Sequence, residues 1–149
     1  TVTNHQTRRG LTWLRNGLKF LYAADQDYGA KGSEFVPFFG IQAATITLPS
    51  DLFKKGTRVY FFNVMRVNSS YEITLDEFSQ QTDKDGFLNE MNNFYQKAIL
   101  EAPTQYFWMH RRFKTRPEGE EGFYPHWKRR EARRERERER NKKVKSLNP

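Results

Sequence analysis

The stretch Ala102-Pro-Thr-Gln-Tyr-Phe-Trp-Met-His-Arg-Arg-Phe-Lys-Thr-Arg-Pro-Glu118 combines four aromatic side chains with five basic ones. Two adjacent Arg side chains cannot both be buried in a small domain without partners, whereas aromatic side chains at this density are expected to be covered. The pattern favours a rigid aromatic anchor that presents cations to a phosphate or a carboxylate. A basic loop beside an aromatic core cluster is the alternative interpretation.

The composition limits the classes of protein to consider. The 149 residues predict one domain, and the absence of cysteine excludes both a disulfide framework and a thiolate nucleophile. The sequence contains no run of 18 apolar residues that could span a membrane. Because the chain begins at Thr1 without an initiator Met or a capping pattern, we expect a fragment.

The net charge of +8 is concentrated near the carboxyl terminus. Residues 128–145 contain eleven Lys or Arg and four Glu, so the rest of the chain carries about +1. The positive net charge of the chain therefore does not indicate nucleic-acid binding by the folded part. We predict two regions, a folded domain at residues 1–127 and a low-complexity tail at residues 128–149 that is either a solvated helix or disordered.

The hydrophobic pattern predicts an α/β fold. A helix at residues 7–16 ends at Asn16-Gly17, and the apolar run at residues 19–24 is typical of a buried strand. Pro37 restricts residues 35–40 to an edge segment or a loop wall. The remaining predicted elements are a helix at 43–55 closed by Gly56, hairpin strands at 58–67 and 71–78 with one solvated face, and a helix at 87–102 begun near Asp83 and ended by Pro103.

Residues 25–33, Asp-Gln-Asp-Tyr-Gly-Ala-Lys-Gly-Ser, follow the predicted strand at 19–24. Ligands in open α/β sheets bind outside the carboxyl ends of strands, so this loop is a candidate site. Asp and Gly are also favoured in ordinary turns, and that alternative stays open.

Two blocks of the sequence resemble one family. The word Tyr-Phe-Trp-Met-His-Arg-Arg-Phe-Lys-Thr-Arg-Pro-Glu-Gly, from Tyr106, closely resembles the carboxyl-terminal signature of the bacterial lipid A late acyltransferases, the lauroyl/myristoyl family. Residues 25–45, with Asp-Gln-Asp-Tyr-Gly and Val-Pro-Phe-Phe-Gly-x-x-Ala-Ala-Thr, resemble its central block. The resemblance covers about residues 11–124. It implies a partial glycerolipid-acyltransferase-like domain, a mixed sheet flanked by helices.

The resemblance also implies a function. Such an enzyme transfers a fatty acyl chain from an acyl carrier protein thioester to a hydroxyl of a lipid A precursor, at the cytoplasmic face of the bacterial inner membrane. The expected partners are acyl carrier protein, the lipid A precursor and the membrane surface, with no nucleic acid, metal or cofactor. A basic RNA-binding protein and a peripheral membrane-interaction module are the alternatives.

The family's general base is the His of a His-x-x-x-x-acid motif, upstream of the central block. The three histidines of this chain are followed at the fifth position by Gly10, Thr115 and Glu131, respectively. His126 and Glu131 match in letters, but they lie beyond the signature, and we interpret this match as coincidence. We therefore expect the general base upstream of Thr1, no catalytic residue in this chain, and no activity of the chain alone.

The resemblance assigns substrate-binding roles to seven residues: Asp25, Gln26, Asp27, Lys31, Arg111, Arg112 and Lys114. Lys31 is expected to meet a phosphate, and Asp25 or Asp27 to hold a sugar hydroxyl or orient a cation. The three cations of the signature are expected to bind lipid A phosphate, a Kdo carboxylate or the acidic carrier protein. Alternatively, Arg111 forms a buried pair with Asp25 or Asp27 that joins the two blocks.

Overall fold

The computed structural model describes residues 7–79 and 82–124, together with Arg133, Arg136, Glu137 and Arg140. The chain forms, in order, α1 (Thr7–Arg15), β1 (Ser33–Phe38), β2 (Ile41–Ile46), α2 (Leu48–Lys54), β3 (Tyr60–Val67), β4 (Ser70–Glu77), α3 (Lys84–Glu101) and a 3-10 turn (Pro103–Gln105). Helices and strands are thus mixed, which confirms an α/β arrangement at this coarse level.

The strands form two separate antiparallel hairpins rather than one mixed sheet within the described residues. In the first, β1 pairs with β2 from Ser33 opposite Ile46 to Phe38 opposite Ile41. In the second, β3 pairs with β4 from Tyr60 opposite Glu77 to Val67 opposite Ser70. Pro37 lies in a two-stranded sheet, in which every strand is an edge, as its missing N–H requires.

The longest helix, α3, holds the two hairpins together. Its first turn is capped as predicted, because the Asp83 side chain accepts a hydrogen bond from the Gly86 N–H at 2.8 Å. Its apolar stripe is covered, with Leu88, Met91 and Ile99 buried. A cluster of phenylalanines packs where α2, α3 and the second hairpin meet, comprising Phe53, Phe61, Phe78, Phe87 and Phe94.

Two predicted helix ends are confirmed by glycines in the left-handed region. Gly17 has a φ of 80° after α1, where the Leu18 N–H donates to the Trp13 carbonyl at 3.0 Å. Gly56 has a φ of 82° after α2, and its N–H donates to the Phe53 carbonyl at 2.9 Å. A side chain with a Cβ would be strained at either position.

The predicted strand at residues 19–24 is wrong for this structure. These residues are irregular, and the side chain of Leu21 is 75% exposed. A buried strand needs a neighbouring strand to pair its backbone, and the described residues place none beside this segment. The apolar run at residues 19–24 therefore has the composition of a buried strand, but no described strand lies beside it to form the backbone hydrogen bonds.

The single helix predicted at residues 43–55 is also wrong. Residues 41–46 are β2, and the helix is confined to Leu48–Lys54. The β-branched residues Ile41, Thr45 and Ile46 favour the strand, and Pro49 lies in the first turn of α2, where a missing N–H costs nothing.

The predicted hairpin of β3 and β4 is confirmed, but both faces of β4 are solvated rather than one. Tyr71, Ile73 and Leu75 alternate with polar residues as expected, yet all three are 65–70% exposed.

Four tail residues are described and are helical, and the Arg133 Nε lies 3.5 Å from the Glu137 Oε1. Most of residues 128–149 lie outside the described residues. No helix in the described part of the chain is long and apolar enough to cross a membrane.

Candidate functional site

Asp27 connects the loop after residue 24 to the signature stretch. Its side chain is buried, with 2% exposure. Oδ2 accepts from the Thr115 N–H at 2.8 Å, and Oδ1 accepts from the Thr115 hydroxyl and from the Gly29 N–H, each at 2.8 Å. Three donors around one carboxylate satisfy a charge that would otherwise be costly to bury. Both oxygens of Asp27 are therefore engaged in holding the fold.

Arg112 connects the signature stretch to β2. It is also 2% exposed, and its Nη1 donates to the Ala44 carbonyl at 2.8 Å while its Nη2 donates to the Thr45 hydroxyl at 3.0 Å. Its guanidinium lies over the Phe38 ring, 4.9 Å from the centroid. Burial lowers the pKa of Arg112, and the nearby carboxylates of Asp25 and Asp27 oppose that shift.

The Thr45 hydroxyl is shared by three elements. It accepts from Arg112 and from the Asn92 Nδ2 of α3 at 3.2 Å, and it donates to the Ala43 carbonyl at 3.0 Å. The Asn92 Nδ2 also donates to the Pro37 carbonyl of β1 at 3.0 Å. This buried network fixes the signature stretch against the first hairpin and α3.

His110 is held as a hydrogen-bond acceptor. The backbone N–H of Asp27 donates to its Nε2 at 2.7 Å, which requires a neutral ring with the proton on Nδ1. Burial and the neighbouring Lys114 ammonium lower the pKa of His110, which stabilises that neutral form. Because its Nε2 is occupied, His110 is not placed to act as a general base here.

Asp25 faces a cleft of about 240 Å³ between α3, β3 and the loop at residues 22–25. Burial raises the pKa of the Asp25 carboxyl, against the opposite effects of its own backbone N–H and of Arg112 and His110. The cleft is mostly apolar, and its other lining residues are Tyr22, Ala23, Phe62, Asn63, Val64, Met65, Tyr95, Ala98, Ile99, Ala102, Gln105, Tyr106 and Phe107.

Tyrosine hydroxyls lie near the Asp25 carboxylate. The Tyr106 hydroxyl contacts the Asp25 carbonyl at 3.4 Å. Burial and the Asp25 charge raise the pKa of Tyr106 to about 12, and the same two causes raise the pKa of Tyr95. These phenols therefore stay protonated and serve as hydrogen-bond donors or acceptors, which suits a hydroxyl-bearing ligand.

The seven predicted site residues divide into four groups. Asp27 and Arg112 are buried and hold the two blocks together, and Asp25 faces the cleft beside them. Lys31 and Lys114 are exposed, whereas Gln26 and Arg111 are half-buried. Asp27 and Arg112 join the two blocks, and the joining role considered for Arg111 stays a prediction. Substrate binding by the seven residues stays a prediction.

Three residues that contribute to the site were not predicted: Thr45, His110 and Thr115. A signal for each was present, because Thr45 closes the central block while His110 and Thr115 lie inside the signature. In the described part of the chain, no three His, Asp or Glu side chains form a group that could hold a metal ion.

Comparison with known proteins identifies relatives over most of the chain. A family described as bacterial lipid A biosynthesis acyltransferase matches residues 3–115. The chain is 38% identical over 117 residues to the lipid A biosynthesis palmitoleoyltransferase of Escherichia coli K12, which covers 74% of the chain and 38% of that enzyme. It is 36% identical over 113 residues to the lipid A biosynthesis lauroyltransferase of the same strain, which covers 71% of the chain and 37% of that enzyme.

A lipid A biosynthesis acyltransferase of Haemophilus influenzae Rd is 34% identical over 113 residues, which cover 70% of the chain and 36% of that protein. The chain thus spans somewhat over a third of the length of the curated relatives that it matches. No solved structure matches it significantly.

Proposed function

Since the chain belongs to the bacterial lipid A biosynthesis acyltransferase family, we propose that it forms the acceptor-side part of an enzyme that transfers a fatty acyl chain to a lipid A precursor. The observation that supports this role is the cleft to which the central block contributes Asp25 and the signature contributes Tyr106 and Phe107, beside the contacts of Asp27 and Arg112 that hold the two blocks together. The donor in this proposal is an acyl carrier protein thioester.

The chemistry of acyl transfer determines which groups the complete active site must contain. A hydroxyl oxygen of the acceptor attacks the thioester carbonyl carbon, a C–O bond forms, and the C–S bond breaks. The hydroxyl proton passes to a general base and then to the leaving thiolate. The products are an ester and a thiol, so no redox step is needed.

Within this chain, Asp25 is the carboxylate suited to the acceptor. Both Asp27 oxygens are engaged with Thr115 and Gly29, whereas Asp25 faces the cleft. A carboxylate among apolar and phenolic side chains can accept a hydrogen bond from a sugar hydroxyl and orient it. In this proposal the exposed Lys31 and Lys114 attract phosphate or carboxylate groups of the same ligand.

The general base lies outside this chain in our proposal. Of the histidines, His110 has its Nε2 committed to the Asp27 N–H, and the structure describes neither His5 nor His126. The chain alone should then bind acceptor without transferring an acyl group. We further propose that the complete enzyme acts at the cytoplasmic face of the inner membrane, where both proposed substrates would meet.

A chimera tests the proposed function. The matched segment of the E. coli palmitoleoyltransferase is exchanged for the aligned part of this chain, and acyl transfer from an acyl carrier protein thioester to a lipid A precursor is followed by mass spectrometry. We expect the chimera to acylate the precursor and the 149-residue chain alone to be inactive. A folded but inactive chimera would contradict the proposed function, and robust transfer by the chain alone would contradict the placement of the base.

A further inference from the structure

Two side chains of the signature stretch hold the backbone beside Asp25. The Tyr106 hydroxyl donates to the Asp25 carbonyl at 3.4 Å, and the His110 Nε2 accepts from the Asp27 N–H at 2.7 Å. These backbone groups belong to the two consecutive peptide units on either side of Gln26. Each peptide unit is planar, so fixing one of its polar groups restrains the rotation of the whole unit. The signature thus orients both peptide units that follow Asp25.

The His110 contact is independent of the contacts of the Asp27 side chain. The Asp27 carboxylate accepts from Thr115 and Gly29, and these hydrogen bonds anchor the residue from its other side. Loss of the His110 contact would leave that anchor in place, but it would leave the N–H of a buried residue without its acceptor. The preceding peptide unit would then rotate to find another acceptor, and Asp25 would move with it.

We propose that His110 is a positioning residue for acyl transfer: its neutral ring holds the Asp27 N–H and thereby keeps the Asp25 carboxyl in the cleft. His110 does not contact the acceptor in this account and acts only through Asp25, which lines the cleft. The inference rests on the proposed function, because it takes the Asp25 carboxyl as the group that orients the acceptor hydroxyl. It adds that acceptor binding requires the Nε2 of this histidine to be free of a proton.

The charge of His110 decides whether its contact with Asp27 exists. An imidazolium carries a proton on both nitrogens, so a charged His110 offers no acceptor to the Asp27 N–H. Burial and the cations of Lys114 and Arg112 lower the pKa of His110, and the carboxylates of Asp27 and Asp25 oppose that shift. The ring therefore stays neutral near neutral pH, and the contact is lost as the pH falls toward the folded pKa. Acceptor binding should weaken over the same range.

Two matched substitutions in the chimera test the inference. His110→Gln places an amide oxygen close to the position of Nε2, so it accepts from the Asp27 N–H but does not titrate. His110→Asn is one carbon shorter and places its oxygen close to the position of Nδ1, out of reach. At pH 7.5, kcat/KM for the lipid A precursor should stay within about threefold in the Gln variant and fall about tenfold or more in the Asn variant. The KM for the acyl carrier protein thioester should change less than about twofold in both.

The pH profile supplies a readout that a purely structural role would not move. Turnover is expressed per folded molecule and compared between pH 7.5 and 5.5. Over this range, kcat/KM of the unaltered chimera should fall about threefold or more further than that of the Gln variant, because only the unaltered chimera loses the contact by protonation. Equal losses in the Gln and Asn variants at pH 7.5 would overturn the inference, as would an acid limb that is the same in the Gln variant as in the unaltered chimera.

Nitrogen-15 NMR of the unaltered 149-residue chain measures the contact without acyl transfer and without any variant. At pH 7.5 the ring of His110 should be protonated at Nδ1 and unprotonated at Nε2, and the Asp27 amide proton should shift as His110 titrates. An active chimera, together with an Asp27 amide that does not respond to His110, would contradict this inference alone. If the amide responds but the folded chimera is inactive, the proposed function alone is contradicted.

Discussion

Asp27 binds Thr115 twice, through the backbone N–H and through the hydroxyl, each at 2.8 Å, across 88 residues of sequence. This pair joins the loop of the central block to the end of the signature stretch. Together with the Arg112 contact to β2, this pair positions Asp25 at the cleft, and none of these hydrogen bonds involves the Asp25 side chain. The two blocks that identify the family therefore meet in space beside the cleft.

The Asp27–Thr115 pair should contribute measurably to stability. Asp27→Asn places an amide donor against groups that donate, so we expect a loss of about 2–3 kcal/mol in the free energy of unfolding. Thr115→Val removes one hydroxyl and should cost about 1 kcal/mol. Urea denaturation measures both, with Asp76→Asn on the exposed β4 as the matched control. If Asp27→Asn is as mild as Asp76→Asn, the pair does not hold the blocks together.

Arg112→Lys tests whether the buried guanidinium is mainly structural. Lysine keeps the charge but loses the two diverging hydrogen bonds to Ala44 and Thr45, so we expect a loss of about 2–4 kcal/mol in unfolding free energy. In the chimera, turnover per folded molecule should change less than about threefold. The exposed Arg66 changed to Lys is the control. A large loss of turnover at unchanged stability would instead place Arg112 on the substrate.

Stability should fall in mild acid because of His110. Burial lowers its pKa in the folded state below the unfolded value, so the unfolded state binds more protons between the two values. Stability is then fully present above the unfolded pKa of about 6.5 and is lost as the pH falls toward the folded pKa. The thermal midpoint, measured between pH 7.5 and 5.5, should decrease, and His110→Gln should flatten that dependence. An unchanged slope in the variant would assign the effect to other groups.

The tail should be dispensable for folding. Residues 128–149 contain no apolar stripe, and the side chains of Arg133 and Glu137 are 82% and 61% exposed. Truncation after Trp127 should therefore move the thermal midpoint by no more than about 3 °C, as scanning calorimetry would show. Loss of a cooperative transition would mean that the tail packs on the domain.

Features with local causes could be predicted from the sequence. The Asp83 cap, the stops at Gly17 and Gly56 and the hairpin turn after Val67 each depend on a few neighbouring residues. The failures depend on distant partners. The apolar run at residues 19–24 needs a strand beside it, and residues 41–46 become a strand because β1 pairs with them.

The candidate site shows the same division. The resemblance selected two blocks that the structure brings together, but it could not assign Asp25 and Asp27 to different tasks, since both are acids of one loop. That assignment follows from the placement of Thr115 against Asp27, which only tertiary structure provides. For the same reason, Arg111 and Arg112 are neighbours in sequence and yet differ in burial.

The most direct test of the central claim is the turnover of acyl transfer by the chimera with Asp25→Asn, expressed per folded molecule and compared with the unaltered chimera. The account predicts a loss of about 10–100-fold with the thermal midpoint nearly unchanged, because Asp25 lines the cleft, whereas Asp27 and Arg112 make the hydrogen bonds that join the two blocks. Turnover equal to that of the unaltered chimera would contradict the assignment of Asp25 and its cleft to the acceptor.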